Sequence, residues 1–461
     1  MQKRQADVVV IGAGSAGMVA YRAAVRAGKK AILVEGGKFG TTCARVGCMP
    51  SKLLIAAADA AYAAQNTAPF GVHVDGEVRI NGKEVMHRVK SERDRFVGFV
   101  IEGIEQIPAA DKVLGYATFL DDNTVQVGDH TQITATSFVI ATGSTPFAPK
   151  SLQGAADRLV VNDDVFDWDD LPKSVVVIGA GVIGLELGQA LHRLGVKTTL
   201  LNRSNKVGGI TDPEVREAAR DAFCCQFDML ANADVTRTER VGDQVVVYYQ
   251  YEGKEHSIKA DYVLSAAGRI PNVAKLGLEN TSAVLNDKGM PEFDQKTLLI
   301  NNTAIFFAGD VNNLHPILHE ASDDGFQAGT NAAHWPAEPE PVARRAPMAV
   351  VFTDPQIMKV GHSFEQLDRS AINIGEVNFK NQGRSRVMLK NCGRLRVYAD
   401  KSSGKFLGAE MLGPAAEHIA HLLAWCLQME LTIEQMLAMP FYHPVVEEGL
   451  RTALRGAAVR S

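Results

Sequence analysis

The stretch DVVVIGAGSAGMVAYRAAVRAGKKAILVE, residues 7–35, decides the fold. It reads as a buried strand, a glycine-rich turn, a helix and a second apolar strand ending on an acid. Each glycine of the G-x-G-x-x-G turn has its own reason. Gly12 allows the tight turn, Gly14 lets backbone amides approach a pyrophosphate at the helix N-terminus, and Gly17 allows helix and strand to pack closely. Glu35 stands 18 residues after Gly17, where a carboxylate can accept hydrogen bonds from an adenosine ribose. The glycines alone would be a weak signal; strand, helix and terminal acid falling in place make a strong one.

The chain then repeats the device. SVVVIGAGVIGLELGQALHRLGVKTTLLNRS, residues 174–204, carries Gly179, Gly181 and Gly184 in the same frame, and its second strand ends at Asn202 and Arg203. The interval from Gly12 to Glu35 equals that from Gly179 to Asn202, so the modules compare position by position. One bears an acid and the other does not. Two bound dinucleotides are implied.

With 461 residues the chain has room for about three domains. A hydrophobic fraction of 46% with 22% charged residues is ordinary for a soluble globular enzyme, and a net charge of −5 argues against a nucleic-acid footprint. The folding signature begins at Asp7, and the most apolar run, Val175 to Leu191, contains Glu186 and four glycines. Neither a signal peptide nor a membrane span is expected, which predicts a cytoplasmic protein.

Chemistry is concentrated in GTTCARVGCMPSK, residues 40–52, where Cys43 and Cys48 stand five residues apart before a run, Pro50 to Gln65, that reads as a helix. On one ideal helix their Cα atoms would lie about 8–9 Å apart, beyond the roughly 7 Å a disulfide tolerates. Cys43 is therefore expected on a non-helical lead-in. Pro50 suits a first helical turn, which puts Cys48 beside a helix N-terminus, where open amides and the dipole favour a thiolate. A redox-active pair is one reading. Two unrelated buried cysteines, half of a zinc site and a structural staple are the others. Cys224, Cys225, Cys392 and Cys426 form no second short-spaced pair of metal type, since adjacent cysteines on a helix point in different directions. No metal is expected.

Between the modules, Thr124 to Val127 and Ser137 to Ile140 read as strands, the latter leading into ATGSTP, residues 141–146. Val245 to Tyr251 is another strand, and YVLSAAGRIPN, residues 262–272, ends in a similar strand-then-glycine exit through Gly268. TAIFFAGD, residues 303–310, is a short apolar strand suited to placing Asp310 against a cofactor hydroxyl, or is simply a strand and turn. The segment Pro336 to Pro347 reads as a linker. After it, sheet at Ala349–Phe352, Glu376–Phe379, Arg394–Tyr398 and Leu407–Met411 precedes helical patterns from Ala416 to Glu430 and from Ile433 onward. The fold class is α/β: two Rossmann-like dinucleotide-binding domains, residues 1–150 with 271–340 and residues 151–270, plus a C-terminal α+β domain over 346–461.

On these motifs, with MPFYHPVVEEGLR at residues 439–451, the whole chain resembles the class I pyridine nucleotide–disulfide oxidoreductases, the FAD family of dihydrolipoyl dehydrogenase, glutathione reductase and mercuric reductase. The resemblance implies that Glu35, Thr42, Lys52, Gly143 and Asp310 hold FAD. It implies that the second glycine set, Asn202, Arg203 and Gly268 hold NAD or NADP, and that Lys52 pairs with Glu186 beside the flavin. Such a pair also explains an acid in an apolar helix, since a buried carboxylate needs a partner. In the family the residue at Cys48 faces the flavin, the one at Cys43 exchanges with the substrate disulfide, and the base at His443, paired with Glu448, comes from the partner subunit of a homodimer.

Departures bear on the substrate. Dihydrolipoyl dehydrogenases usually carry His-x-His-Pro, where this chain has Phe441, although CMPSK fits them. Glutathione reductases usually have Lys where Ser51 stands. Around Val350–Gln356 and Glu448–Arg451 the chain resembles mercuric reductase, yet its tail AAVRS lacks that family's terminal cysteine pair. Dihydrolipoyl dehydrogenase-like chemistry on a small or lipoyl disulfide is expected, with an NADPH-dependent glutathione-type reductase as the alternative. A mercuric-reductase-like enzyme and a flavoprotein oxidase or transhydrogenase fit less well. For the coenzyme, a carboxylate at Asn202 would repel a 2′-phosphate; Asn does not, and Arg203 with Lys206 could neutralise one.

Overall fold

A computed structural model of the chain describes residues 1–458; Val459 to Ser461, the end of the AAVRS tail, lie outside the described residues. The chain divides into two units, Met1–Pro50 with Val89–Phe147 and Arg269–Arg344, and Ser51–Arg88 with Ala148–Gly268 and Arg345–Ser461.

The first unit is built on β1 (Gln2–Ile11), which pairs in parallel with β2 (Ala31–Glu35) on one side and with Thr131–Ile140 on the other. Strand Ile305–Phe307 adds in parallel beyond Thr131–Ile140, while Thr124–Val127 and Ala117–Asp121 continue the sheet antiparallel. Successive side chains of a strand face opposite ways. Val8 and Val10 accordingly enter one core, with Leu33 and Phe306, and Val9 and Ile11 enter another, with Phe119 and Phe138. Both faces are covered, which is why β1 reads as an unbroken apolar run rather than an alternating one. The first face is covered by α1 (Ser15–Arg26) and the helix Leu318–His334. These helices meet backbone to backbone: a Cβ on Gly325 would fall 2.2 Å from the Ala16 carbonyl oxygen.

The two cysteines lie on successive helices, α2 (Thr42–Val46) and α3 (Cys48–Gln65). This corrects the expectation of a non-helical lead-in for Cys43. The Thr41 hydroxyl accepts the Ala44 amide and caps one short turn that includes Cys43. The backbone break needed between the cysteines falls instead at Gly47, with φ −126° and ψ −117°. Helix α3 starts two residues before Pro50, whose missing N–H costs nothing in a first turn.

In the second unit β3 (Ser174–Ile178), α4 (Val182–Arg193) and β4 (Lys197–Asn202) repeat the strand, helix and strand of the first module, within a parallel sheet of five strands. An antiparallel trio, Asp234–Val241, Gln244–Tyr251 and Lys254–Ala260, packs its Val245, Val247 and Tyr249 into the same core as β3 and β4. The C-terminal part is a five-stranded antiparallel sheet, from Met348–Val351 through Ile372–Asn378, covered by Ala416–Gln428 and Glu448–Ala457. The helical pattern from Ile433 onward resolves into two helices, Ile433–Leu437 and Glu448–Ala457. Among the described residues no helix is long and apolar enough to cross a membrane.

Charge is buried where α5 (Pro213–Cys224) meets the C-terminal sheet. Asp212, fully buried, caps α5 and takes both oxygens to Arg396 Nη1 at 2.9 Å, with the Tyr398 hydroxyl at 2.9 Å. Glu410, also fully buried, accepts the amides of Thr211, Asp212 and Phe364. Removing one member of a buried pair strands the other. Asp212→Ala should therefore destabilise the second unit by about 3–5 kcal/mol, read as a lower denaturation midpoint; an unchanged midpoint would mean that Arg396 finds its compensation elsewhere.

Candidate active site

Both glycine turns leave their helix N-termini open. Gly14 and Gly181 are the N-caps of α1 and α4, without side-chain caps, and no atom lies within 4 Å of where their Cβ atoms would stand. Gly12 adopts φ +106° and Gly179 φ +108°, backbone that other residues rarely reach. These are the free amides and the space that a dinucleotide diphosphate requires.

The acid and the amide that end the two modules take up matching positions. Glu35 accepts the Ala13 amide at 2.7 Å and the Gly37 amide at 2.7 Å. Asn202 accepts the Ala180 amide through Oδ1 at 3.4 Å, and its Nδ2 donates to the carbonyls of Ser204 and Lys206, both at 2.7 Å. Asn202 is thus committed to bracing the loop that carries Arg203 and Lys206, both exposed, and its two amide hydrogens are already used.

Asp310 follows strand Ile305–Phe307 and accepts from the Ser144 hydroxyl at 3.4 Å. Burial pushes its carboxyl above the usual range, partly offset by the Arg269 guanidinium, which donates to the Ser144 oxygens at 2.8 and 2.6 Å. Asp324, which sequence reasoning missed, fixes this corner from the helix Leu318–His334: it accepts the Gly309 amide at 3.1 Å and Asn312 Nδ2 at 2.7 Å. Only its buried, mid-helix position could have marked it. Gly143 and Gly268 take positive φ, +68° and +132°, with open space where a side chain would stand.

Cys43 and Cys48 form a close pair across Gly47, with Cys48 the first residue of α3 and the more exposed of the two. Thr42 opens α2 beside them. Further along α3, Lys52 Nζ meets Glu186 Oε2 at 2.7 Å, where the Glu186 side chain is 4% exposed. The other Glu186 oxygen accepts the Phe352 amide at 2.9 Å, and the Lys52 ammonium stands 4.5 Å from the centre of the Phe352 ring. The buried carboxylate is therefore paired and hydrogen-bonded, as its desolvation demands. His443 is 80% exposed and its Nδ1 lies 3.0 Å from Glu448 Oε2, a contact that holds the Glu448 carboxyl below its usual range. Among the described residues no group of three or more His, Cys, Asp or Glu side chains could hold a metal ion.

Residues 6–333 match the pyridine nucleotide-disulphide oxidoreductase family, and residues 348–454 its dimerisation domain. The chain is 31% identical over 452 residues to dihydrolipoyl dehydrogenase of Geobacillus stearothermophilus, covering 96% of this chain and 94% of the relative. It is 29% identical over 458 residues to mercuric reductase of Staphylococcus aureus, covering 97% and 81%. A solved structure of the HOCl-induced flavoprotein disulfide reductase RclA from Escherichia coli, a Cu(II) complex, superposes with a TM-score of 0.84 over 98% of this chain and 99% of that one; its 22% identity supports a shared fold.

The first glycine turn offers a direct test. A Cβ on Gly17 would fall 1.8 Å from the Gly12 carbonyl oxygen, so Gly17→Ala has to push the turn out of shape. The variant is expected to purify without the yellow flavin band, and full retention of that band would show that the turn does not hold the cofactor.

Proposed function

Because the chain belongs to the pyridine nucleotide-disulphide oxidoreductase family, a family of FAD- and NAD(P)H-using oxidoreductases, we propose that it carries electron pairs between a nicotinamide nucleotide and a substrate disulfide through Cys43 and Cys48, in the manner of a dihydrolipoyl dehydrogenase. The observation that carries this reading is the break at Gly47, which sets Cys48 at the N-terminus of α3 and Cys43 on the separate turn before it. In this reading residues 1–150 and 271–340 form the FAD-binding domain, 151–270 the NAD(P)-binding domain and 346–461 the interface domain of a homodimer.

The residues that fit FAD are the amides at Gly14, with Glu35, Thr42, Gly143 and Asp310 around the first turn, and Lys52 held by Glu186. The chemistry FAD supplies when bound is two-electron exchange between nicotinamide and a disulfide. Cys48 is favoured as a thiolate by its place at the N-terminus of α3, and the Cys43 thiolate attacks one sulfur of the substrate disulfide. The substrate S–S bond breaks, and the leaving thiolate takes a proton from the imidazolium of His443, supplied in a homodimer by the partner subunit's His443. Cys48 then attacks Cys43 in the mixed disulfide, releasing the second thiol and re-forming the Cys43–Cys48 bond. The balance is one NAD(P)H, one proton and one disulfide giving NAD(P)⁺ and two thiols. Glu448 steadies the imidazole through Nδ1.

Two outcomes test this reading. Cys43→Ser and Cys48→Ser should each lose disulfide reduction while keeping FAD, since neither residue belongs to a nucleotide turn. After reduction only Cys43→Ser, which retains the Cys48 thiolate, should show long-wavelength thiolate-to-flavin absorbance; the opposite pattern reverses the two roles. For the coenzyme, Asn202 carries no repelling charge and Arg203 is free of its bracing role, so NADPH should be accepted at least as well as NADH. Arg203→Ala should raise the KM for NADPH at least tenfold, about 1.4 kcal/mol, and leave that for NADH nearly unchanged. An equal effect on both coenzymes would make Arg203 structural.

A further inference from the structure

Helices α3 and α4 are joined twice, and the second junction has no part in the chemistry above. Lys52 meets Glu186 at 2.7 Å; seven residues further along each helix, Asp59 Oδ1 meets Arg193 Nη1 at 2.7 Å. Seven residues is two helical turns, about 10.5 Å, so the helices run in parallel and in step, with the order of charge reversed between the two pairs. The segment after strand Met348–Val351 spans both. Its Phe352 amide binds Glu186, and two residues on, Asp354 accepts Arg193 Nη2 on its carboxylate at 3.2 Å and on its carbonyl at 3.2 Å. Gln189, midway along α4, closes the gap: its Oε1 accepts the Asp354 amide at 2.8 Å and its Nε2 donates to the Asp354 carbonyl at 2.8 Å. The Arg193 side chain is 3% exposed, and its guanidinium lies 4.0 Å from the centre of the Tyr62 ring, one turn beyond Asp59 on α3.

A buried guanidinium is a costly way to hold two helices together, because well-packed apolar side chains do so at least as well. What a planar, multiply bonded guanidinium adds is geometry. Lys52 alone is a compact charge on a four-carbon stem and tolerates sliding of one helix along the other; Arg193, gripped by α3, by Asp354 and by the Tyr62 ring, does not. We propose that Arg193, with Asp59 and Asp354, is a positioning residue that sets the register of α3 on α4 and so fixes where the Lys52 ammonium stands. The proposal rests on the reading above in which the Lys52–Glu186 pair stands beside the flavin.

The test is a double-mutant cycle on the FAD-loaded enzyme with Lys52→Met, Arg193→Met and the two combined, following the visible flavin spectrum, the flavin midpoint potential and the rate of bleaching by NAD(P)H. Arg193→Met should keep its FAD, shift the flavin spectrum and potential in the same direction as Lys52→Met, and slow bleaching by about tenfold. Arg193→Lys, which retains the charge without the fork, should recover only part. In the Lys52→Met background the Arg193 substitution should have no further effect on spectrum, potential or rate, although it still lowers the melting temperature. Additive effects in the double variant, or an Arg193→Met enzyme with wild-type spectrum, potential and rate, would overturn the proposal. A Lys52→Met enzyme with wild-type flavin properties would instead overturn the placement of Lys52 beside the flavin, and the proposal with it. Should Arg193→Met lose its fold, the same cycle with Asp59→Asn, whose side chain is 53% exposed, carries the same criteria with an effect of about threefold.

Discussion

A carboxylate inside an apolar helix has to be neutralised or paired, and Glu186 is both desolvated and placed on the helix that opens at the second glycine turn. Its partner, Lys52, sits one turn along the helix that opens with Cys48. A single ion pair thus ties the helix that opens with Cys48 to the helix that opens at the second glycine turn. The Phe352 amide and ring complete the coordination, so the segment after strand Met348–Val351 is drawn to the same point.

The internal repeat uses one backbone device twice. In both modules a side chain at the tip of the second strand accepts the amide between the first two glycines, Ala13 to Glu35 and Ala180 to Asn202. The backbone task is common to both; the charge is not. The first module keeps a carboxylate at the strand tip, whereas in the second the side chain is neutral and spends its donors on the following loop, leaving exposed cations beyond it. The difference between the modules is one of charge over an unchanged scaffold.

Within the second unit the same economy recurs at Asp212 and Glu410. Two fully buried carboxylates bind the start of α5 to the antiparallel sheet through amides, Arg396 and Tyr398. Burial and the neighbouring carboxylates push the Tyr398 hydroxyl well above its usual range, which keeps it protonated as the donor this junction needs.

By itself the sequence determined whatever is local. The two glycine turns, their helices and the acids or amides 23 residues after the first glycine are readable because strand, turn and helix impose fixed spacings over a short stretch of chain. The break between Cys43 and Cys48 was also readable, since helix geometry forbids a disulfide at that spacing, but its location was not. Spacing alone could not separate an unwound Cys43 from a short capped turn ended at Gly47. The antiparallel strands flanking Gln244–Tyr251 went unread because they are largely polar and their faces are set by packing rather than by a clear local period, whereas helix Gly82–Glu105 does carry the period, with Met86, Val89, Val97, Val100 and Ile104 at helical spacing. The tertiary structure alone decided which charges meet. Asp59, Arg193 and Asp354 are spread over almost 300 residues of chain, and nothing in their own neighbourhoods distinguishes them from solvated surface groups. They become a site only because folding brings α3, α4 and the segment after Val351 together, and the burial of Arg193 then makes its pairing compulsory.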